Sequence, residues 1–180
     1  MNRKLKSFRI RPRGRGEFVV ILIGLTLPAL VRAEAATDQR AAARRLAEMV
    51  RNLCARLQIT DDVEVSIDEG NDKMVSSEPL PGRAHGYRIS FDRQFLETLD
   101  DNEIQAAIAH ELGHVWIFSH HPFLQTEELA NEIALRVISR DSLKKIYFKL
   151  WTRTGLSGNL GELLGPEHVP HAALGTTVLP

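Results

Sequence analysis

Leu46, Met49, Val50, Leu53 and Leu57 recur at helical spacing within residues 37–57, with Ala and Arg supporting them, so a scaffolding helix with one buried stripe is predicted there. Val63-Glu64-Val65-Ser66-Ile67 then alternates apolar with polar residues, the period of a half-buried strand. Residues 68–72 supply a turn, and residues 73–77 offer a second strand. Pro79, Pro81 and Gly82 break the chain before a third alternating run at residues 87–91, and a small helix over 94–99 closes this part. Leu99, Asp100, Glu103 and Ile104 then form a helix start: Asp100 caps, Glu103 completes a capping box, and Leu99 staples onto Ile104. This helix ends near residues 119–121, because Pro122 disfavours helix in the residue before it. A further helix starts at Thr126 and runs through Arg140 or beyond, followed by an amphipathic stretch over 143–151. From Gly155 the periodicity fades, and residues 155–180 read as a loosely structured tail.

The charges change the picture at one end only. The 180 residues carry 23 basic and 23 acidic side chains, but Arg3, Lys4, Lys6, Arg9, Arg11, Arg13 and Arg15 all precede a nearly continuous apolar run at 18–31. Small residues follow at Ala33-Glu34-Ala35-Ala36. A basic stretch, an apolar core and small residues are the order of a secretory signal, so residues 1–35 are expected to be a signal peptide cleaved near Ala33 or Ala35. The protein is then exported, periplasmic or secreted. A membrane anchor through residues 18–31 is the alternative and would keep the chain near a membrane, although the run falls short of the ~20 residues of a bilayer span. Without its leader the chain is acidic, which argues against nucleic-acid binding. Cys54 is the single cysteine and reads as a small core residue. No repeat or linker divides the remainder, so residues 36–154 are read as one domain.

Candidate chemistry centres on His110-Glu111-Leu112-Gly113-His114. Histidines four apart on a helix share a face and can present two imidazole nitrogens to one ion. Glu111, rotated about 100° from His110, can reach a water on that ion. Imidazole and carboxylate ligands with one position left to water describe a catalytic zinc site, so one Zn2+ per chain is expected. Ile104, Ile108, Leu112 and Val115 give the helix an apolar stripe, and Gly113, which costs ~1 kcal/mol of helix propensity, suggests close backbone packing near the metal. A third ligand must come from elsewhere, with Glu127 and Glu128 the nearest candidates. Ala130, Ala134, Val137 and Ile138 lie on the Glu127 face, whereas Glu128 begins the solvated row Glu128, Glu132, Arg136, Arg140. A carboxylate in an apolar face calls for a partner or a metal. Glu127 is therefore preferred and Glu128 held second, with Asn131 placed to donate a hydrogen bond that orients a ligand.

These residues resemble the gluzincin metallopeptidases, in particular the HtpX-like and CAAX prenyl protease-like family, over about residues 63–151. The carriers are the His110 to His114 motif and the segment Glu127-Glu128-Leu129-Ala130-Asn131-Glu132-Ile133-Ala134. The resemblance implies an α+β, zincin-like domain: a short mixed sheet packed on an active-site helix and a second, ligand-bearing helix. It implies zinc on Glu127 as well as the histidines, and hydrolysis of a peptide or protein substrate with Glu111 as general base. Asn131 stands where the family has Asp. A second resemblance, to cytosolic regulator-cleaving peptidases, conflicts with the export signal. His85, His120, His121 and Tyr147 are candidate donors to the oxyanion, and His168 and His171 read as tail residues. A strand at 87–91 or 73–77 could border the cleft and pair with an extended peptide. The competing function is a zinc-stabilised, non-catalytic binding or chaperone-like module; in either case a protein partner could complete the short chain.

Overall fold

The computed structural model describes residues 27–166, so most of the leader and the stretch holding His168 and His171 lie outside the described residues. The chain divides into two compact units, Met1–Asp38 and Gln39–Pro180. The described part of the first is the opening of helix α1 (Leu27–Leu57), which begins well before the predicted start at Thr37. Ala and Leu dominate that opening, and Pro28 sits in the first turn, where a missing N–H costs nothing. Among the described residues no helix is long and apolar enough to cross a membrane.

In the second unit, Leu46, Val50, Leu53 and Leu57 of α1 enter the core on the predicted stripe. Strand β1 (Asp62–Asp68) pairs parallel with β3 (Gly86–Asp92), and β2 (Val75–Pro79) pairs antiparallel with it, giving the order β1-β3-β2. The expected mixed sheet is present. β2 starts later than predicted because Lys73 and Met74 belong to the turn: Met74 has φ 65°, and Asn71 accepts from the Lys73 N–H at 3.1 Å and donates to the Ser90 carbonyl at 3.1 Å. Pro79 is the last residue of β2 rather than part of the break, as an outer strand permits. β3 is central, with Tyr87, Ile89 and Phe91 buried.

Asp92 caps the short α2 (Arg93–Leu96), which stops before the predicted residue 99. Helix α3 (Asp101–His120) begins at the Asp100 cap with the capping box complete and ends before Pro122. Its apolar surface is wider than one stripe: Ile104, Ala106, Ala107, Ile108, Ala109, Leu112, Val115 and Ile117 are all buried, because α3 contacts β2 and β3 as well as α4 and α5. The predicted long helix from Thr126 is two helices. α4 (Glu127–Ala134) starts at the Thr126 cap but tightens after Ala134, where Arg136 and Val137 donate to the carbonyls three residues back. Ser139 then caps α5 (Arg140–Thr154), which ends at Gly155 with φ 71°. Lys149 of α5 reaches the carboxylate of Glu103 and the Thr98 carbonyl, both at 2.6 Å, fastening α5 to the start of α3. The expectation of a loose tail from Gly155 is corrected up to Leu164: α6 (Leu160–Leu164) packs on α4 and buries Leu164.

Candidate metal centre

His110 and His114 sit one turn apart on α3, their rings 4.9 Å apart and edge-on. α4 crosses close by, and Gly113 is why it can. A Cβ on Gly113 would stand 2.9 Å from the Ala130 carbonyl carbon and Cα and closer still to its oxygen, which a backbone cannot relieve by changing a rotamer. The first turn of α4 thereby brings the Glu127 carboxylate 3.2 Å from His110 Nε2 and 3.5 Å from His114 Nε2. One ligand atom from each residue falls within 4.8 Å of the other two. Glu128 belongs to no such group among the described residues.

The reason given for Glu127 needs correction. Its side chain is 54% exposed rather than sunk in an apolar face, and Val137 and Ile138 lie beyond the end of α4. Glu127 faces the histidines because it lies three residues before Ala130, on the face of α4 that meets Gly113. Of the predicted solvated row, Glu132 and Arg136 do pair at 3.8 Å, while Arg140 belongs to α5.

Each imidazole is gripped from behind. Asn131, fully buried, places Oδ1 2.7 Å from His110 Nδ1. Asn131 therefore accepts from the ring and does not donate to it as expected. Its amino group donates to the Leu163 carbonyl at 2.9 Å and to the Tyr147 hydroxyl at 2.8 Å. Gln125 clamps His114 twice, Oε1 on Nδ1 at 3.1 Å and Nε2 on the backbone carbonyl at 3.3 Å. Both rings thus carry a proton on Nδ1 and turn Nε2 toward Glu127. Two imidazole nitrogens and a carboxylate converging on one point fit a cation, and this donor set suits zinc.

The electrostatics agree. Hydrogen bonds from His110 first and His114 second hold Glu127 well below the usual carboxylate range, against its partial burial. Burial pulls His114 down, but its hydrogen bonds to Glu127 and Gln125 and the charges of Glu111 and Glu127 outweigh that and raise it. Burial raises the Tyr147 hydroxyl, with Glu127 and Glu111 adding to it against the hydrogen bond from Asn131, so the phenol stays protonated.

Glu111 is buried and accepts from the Ser77 hydroxyl at 2.7 Å. Both line a cleft of about 610 Å³ together with His110, His114 and Glu127. Leu143, Ile146, Leu150 and Trp151 of α5 form one apolar wall, and β2 contributes Val75, Ser76 and Ser77. β2 is an outer strand, so pairing with an extended peptide is open to it and closed to the central β3. Of the four candidate oxyanion donors only Tyr147 lines the cleft. His85 pairs with Asp61 at 3.1 Å, and His120 stacks on Trp116 at 4.0 Å. Sequence reasoning missed Ser77, Gln125 and the Leu163 carbonyl. Gln125 had a faint signal as an amide just before the capped ligand helix, whereas the other two meet their partners only through the tertiary fold.

Residues 39–168 match Peptidase family M48. Two Bacteroides fragilis proteins, each described as a protease HtpX homolog, are 25% and 24% identical over 132 residues, covering 73% of this chain. The chain spans 40% of the length of these relatives. The crystal structure of the metallopeptidase zymogen of Pyrococcus abyssi abylysin aligns with 63% of the chain and 99% of its own at 15% identity, with a TM-score of 0.45. The family match extends from the middle of α1 to beyond α6 and takes in both gripped histidines, Glu111 and Glu127, and on it the chain belongs to Peptidase family M48.

Proposed function

We propose that this chain is a zinc-dependent endopeptidase in which His110, His114 and Glu127 hold the metal and Glu111 is the general base. The observation that carries the reading is the convergence of three ligand atoms within 4.8 Å beside a carboxylate that no salt bridge engages among the described residues. Zinc bound there would lower the pKa of a water to about 7 and polarise a carbonyl. Ser77 holds Glu111 Oε2, which leaves Oε1 to take a proton from the attacking water and pass it to the leaving amine. Tyr147 keeps its proton and can donate to developing negative charge by exchanging its hydrogen bond to Asn131 Oδ1 at 3.0 Å. The outer edge of β2 would align an extended peptide, and the α5 wall would receive an apolar side chain. A non-catalytic module would have no use for a buried carboxylate held by Ser77 in the cleft. Export to the periplasm or medium belongs to the same reading and rests on the leader-like order of residues 1–35.

Zinc per chain, measured by elemental analysis, tests the ligands: near one in the parent and in Glu128→Ala, and far below one in Glu127→Ala. Hydrolysis of an unfolded protein substrate tests the base. Glu111→Gln should keep its zinc and lose turnover by several orders of magnitude, and turnover equal to the parent refutes the mechanism.

A further inference from the structure

Asn131 presents a problem that a carboxylate would not. An amide has an acceptor end and a donor end of almost the same shape, and only one orientation serves the metal centre. With Oδ1 toward His110, the ring carries a proton on Nδ1, and a metal can take the place of the proton that Nε2 shares with Glu127. With the amino group toward His110, Nδ1 would become the acceptor, the proton would move to Nε2, and that nitrogen could not bind a cation. Asn131 is fully buried, so water cannot set its orientation.

What sets it is α6. The Leu163 carbonyl can only accept, and it lies 2.9 Å from Asn131 Nδ2. The end of α6 is itself held by Arg140, whose guanidinium donates to the Leu164 carbonyl at 2.8 Å and to the Gly165 carbonyl. Arg140 is the first residue of α5, so its fork joins α5 to the final carbonyls of α6, a favourable place for a cation. The geometry points to Arg140 and the Leu163 carbonyl as positioning groups for the metal centre: Arg140 fixes α6, α6 fixes the amide of Asn131, and Asn131 fixes the tautomer of His110. Asn at 131 and an α6 carbonyl facing it are thus a matched pair. Asp, the residue expected there from resemblance, presents an acceptor at either end, needs no such orientation, and would set a carboxylate oxygen against the Leu163 carbonyl.

This inference rests on the metal-centre reading, and a double-mutant cycle on zinc affinity separates the two. Affinity is measured on the full chain by competition with a chromogenic chelator for the parent, Arg140→Met, Asn131→Asp and the double variant, with circular dichroism reporting folding. Arg140→Met is expected to weaken zinc binding about tenfold or more in the parent and less than about twofold when residue 131 is Asp, because a carboxylate orients itself. Arg140→Lys, which can still hold one carbonyl, should recover part of the loss. An equal loss in both backgrounds would mean that Arg140 merely stabilises the fold and would overturn the proposal, as would no loss in either. Absence of zinc binding by the folded parent would instead refute the metal-centre reading itself.

Discussion

Gly113 shows how a single missing atom sets the distance between α3 and α4. Gly113→Ala would drive its Cβ into the Ala130 backbone, so α4 must retreat and take Glu127 with it. The expected cost is about 1–3 kcal/mol in urea unfolding together with weaker zinc binding; an unchanged urea midpoint would show that the helices can separate freely. Cys54 gives a second prediction at this scale. Burial first, and the charge of Asp61 second, push its thiol up from 9.0 to about 11. Near pH 8 the folded thiolate fraction is then about a hundredfold below that of the unfolded chain. Iodoacetamide should therefore alkylate the folded protein far more slowly than the protein in urea, and equal rates would contradict the half-buried placement of the thiol against the core. Several placements were legible because they are local: the shared face of His110 and His114 from their spacing, and the close packing at Gly113 from its cost in a helix. Glu127 does meet the two histidines, and the helical face it shares with Ala130 brings it there, although its own side chain is not buried in that face. Ser77 and Leu163 were illegible because their partners, Glu111 and Asn131, are distant in sequence.

Among the elements, α3 was the most legible because its start is written in four residues. Asp100 accepts from the Glu103 N–H at 2.9 Å, and Glu103 accepts from the Asp100 N–H at 2.8 Å. The backbone N–H of Glu103 is the main cause that lowers the Asp100 pKa below 3.8. A lowered carboxylate pKa contributes stability that is present above the unfolded value of 3.8 and is lost as pH falls through the folded value. Asp100→Ala should therefore lower the thermal midpoint near neutral pH, and its deficit relative to the parent should shrink once the pH falls below 3.8; a deficit that does not depend on pH would place the effect in the hydrogen bond alone. The boundary between α4 and α5 was misread for an identifiable reason. Ala134, Val137 and Ile138 keep helical phase across the break, so periodicity could not register it. The signal was the pair Ser139 and Ser142, where the hydroxyl of the first accepts from the N–H of the second at 3.0 Å. α6 was missed because five residues with two glycines flanking or within them carry little helical pattern, and Asn159, its cap, was the only local mark.

The molecule as a whole joins segments that its sequence keeps apart, and the candidate metal centre is where most of them meet. α3 supplies His110, Glu111 and His114, α4 supplies Glu127, α5 the apolar wall and Tyr147, α6 the carbonyl behind Asn131, and β2 the serine on Glu111. A cation at that point would tie α3 to α4 across the Gly113 contact, so zinc should stabilise the entire folded unit and not only its cleft. A ligand that binds the folded state alone adds about 2.7 kcal/mol at a free concentration a hundred times its Kd. For a domain of this size that corresponds to a rise of about 5–10 °C in Tm. Scanning calorimetry at a series of buffered free-zinc concentrations should show Tm climbing with the logarithm of zinc once the site fills, and a chelator should reverse the climb. His114→Ala should flatten the curve. Glu111→Gln should leave it intact, because the base contributes no ligand. A curve equally steep in parent and His114→Ala would locate the stabilising zinc elsewhere and detach the stability of the fold from this centre.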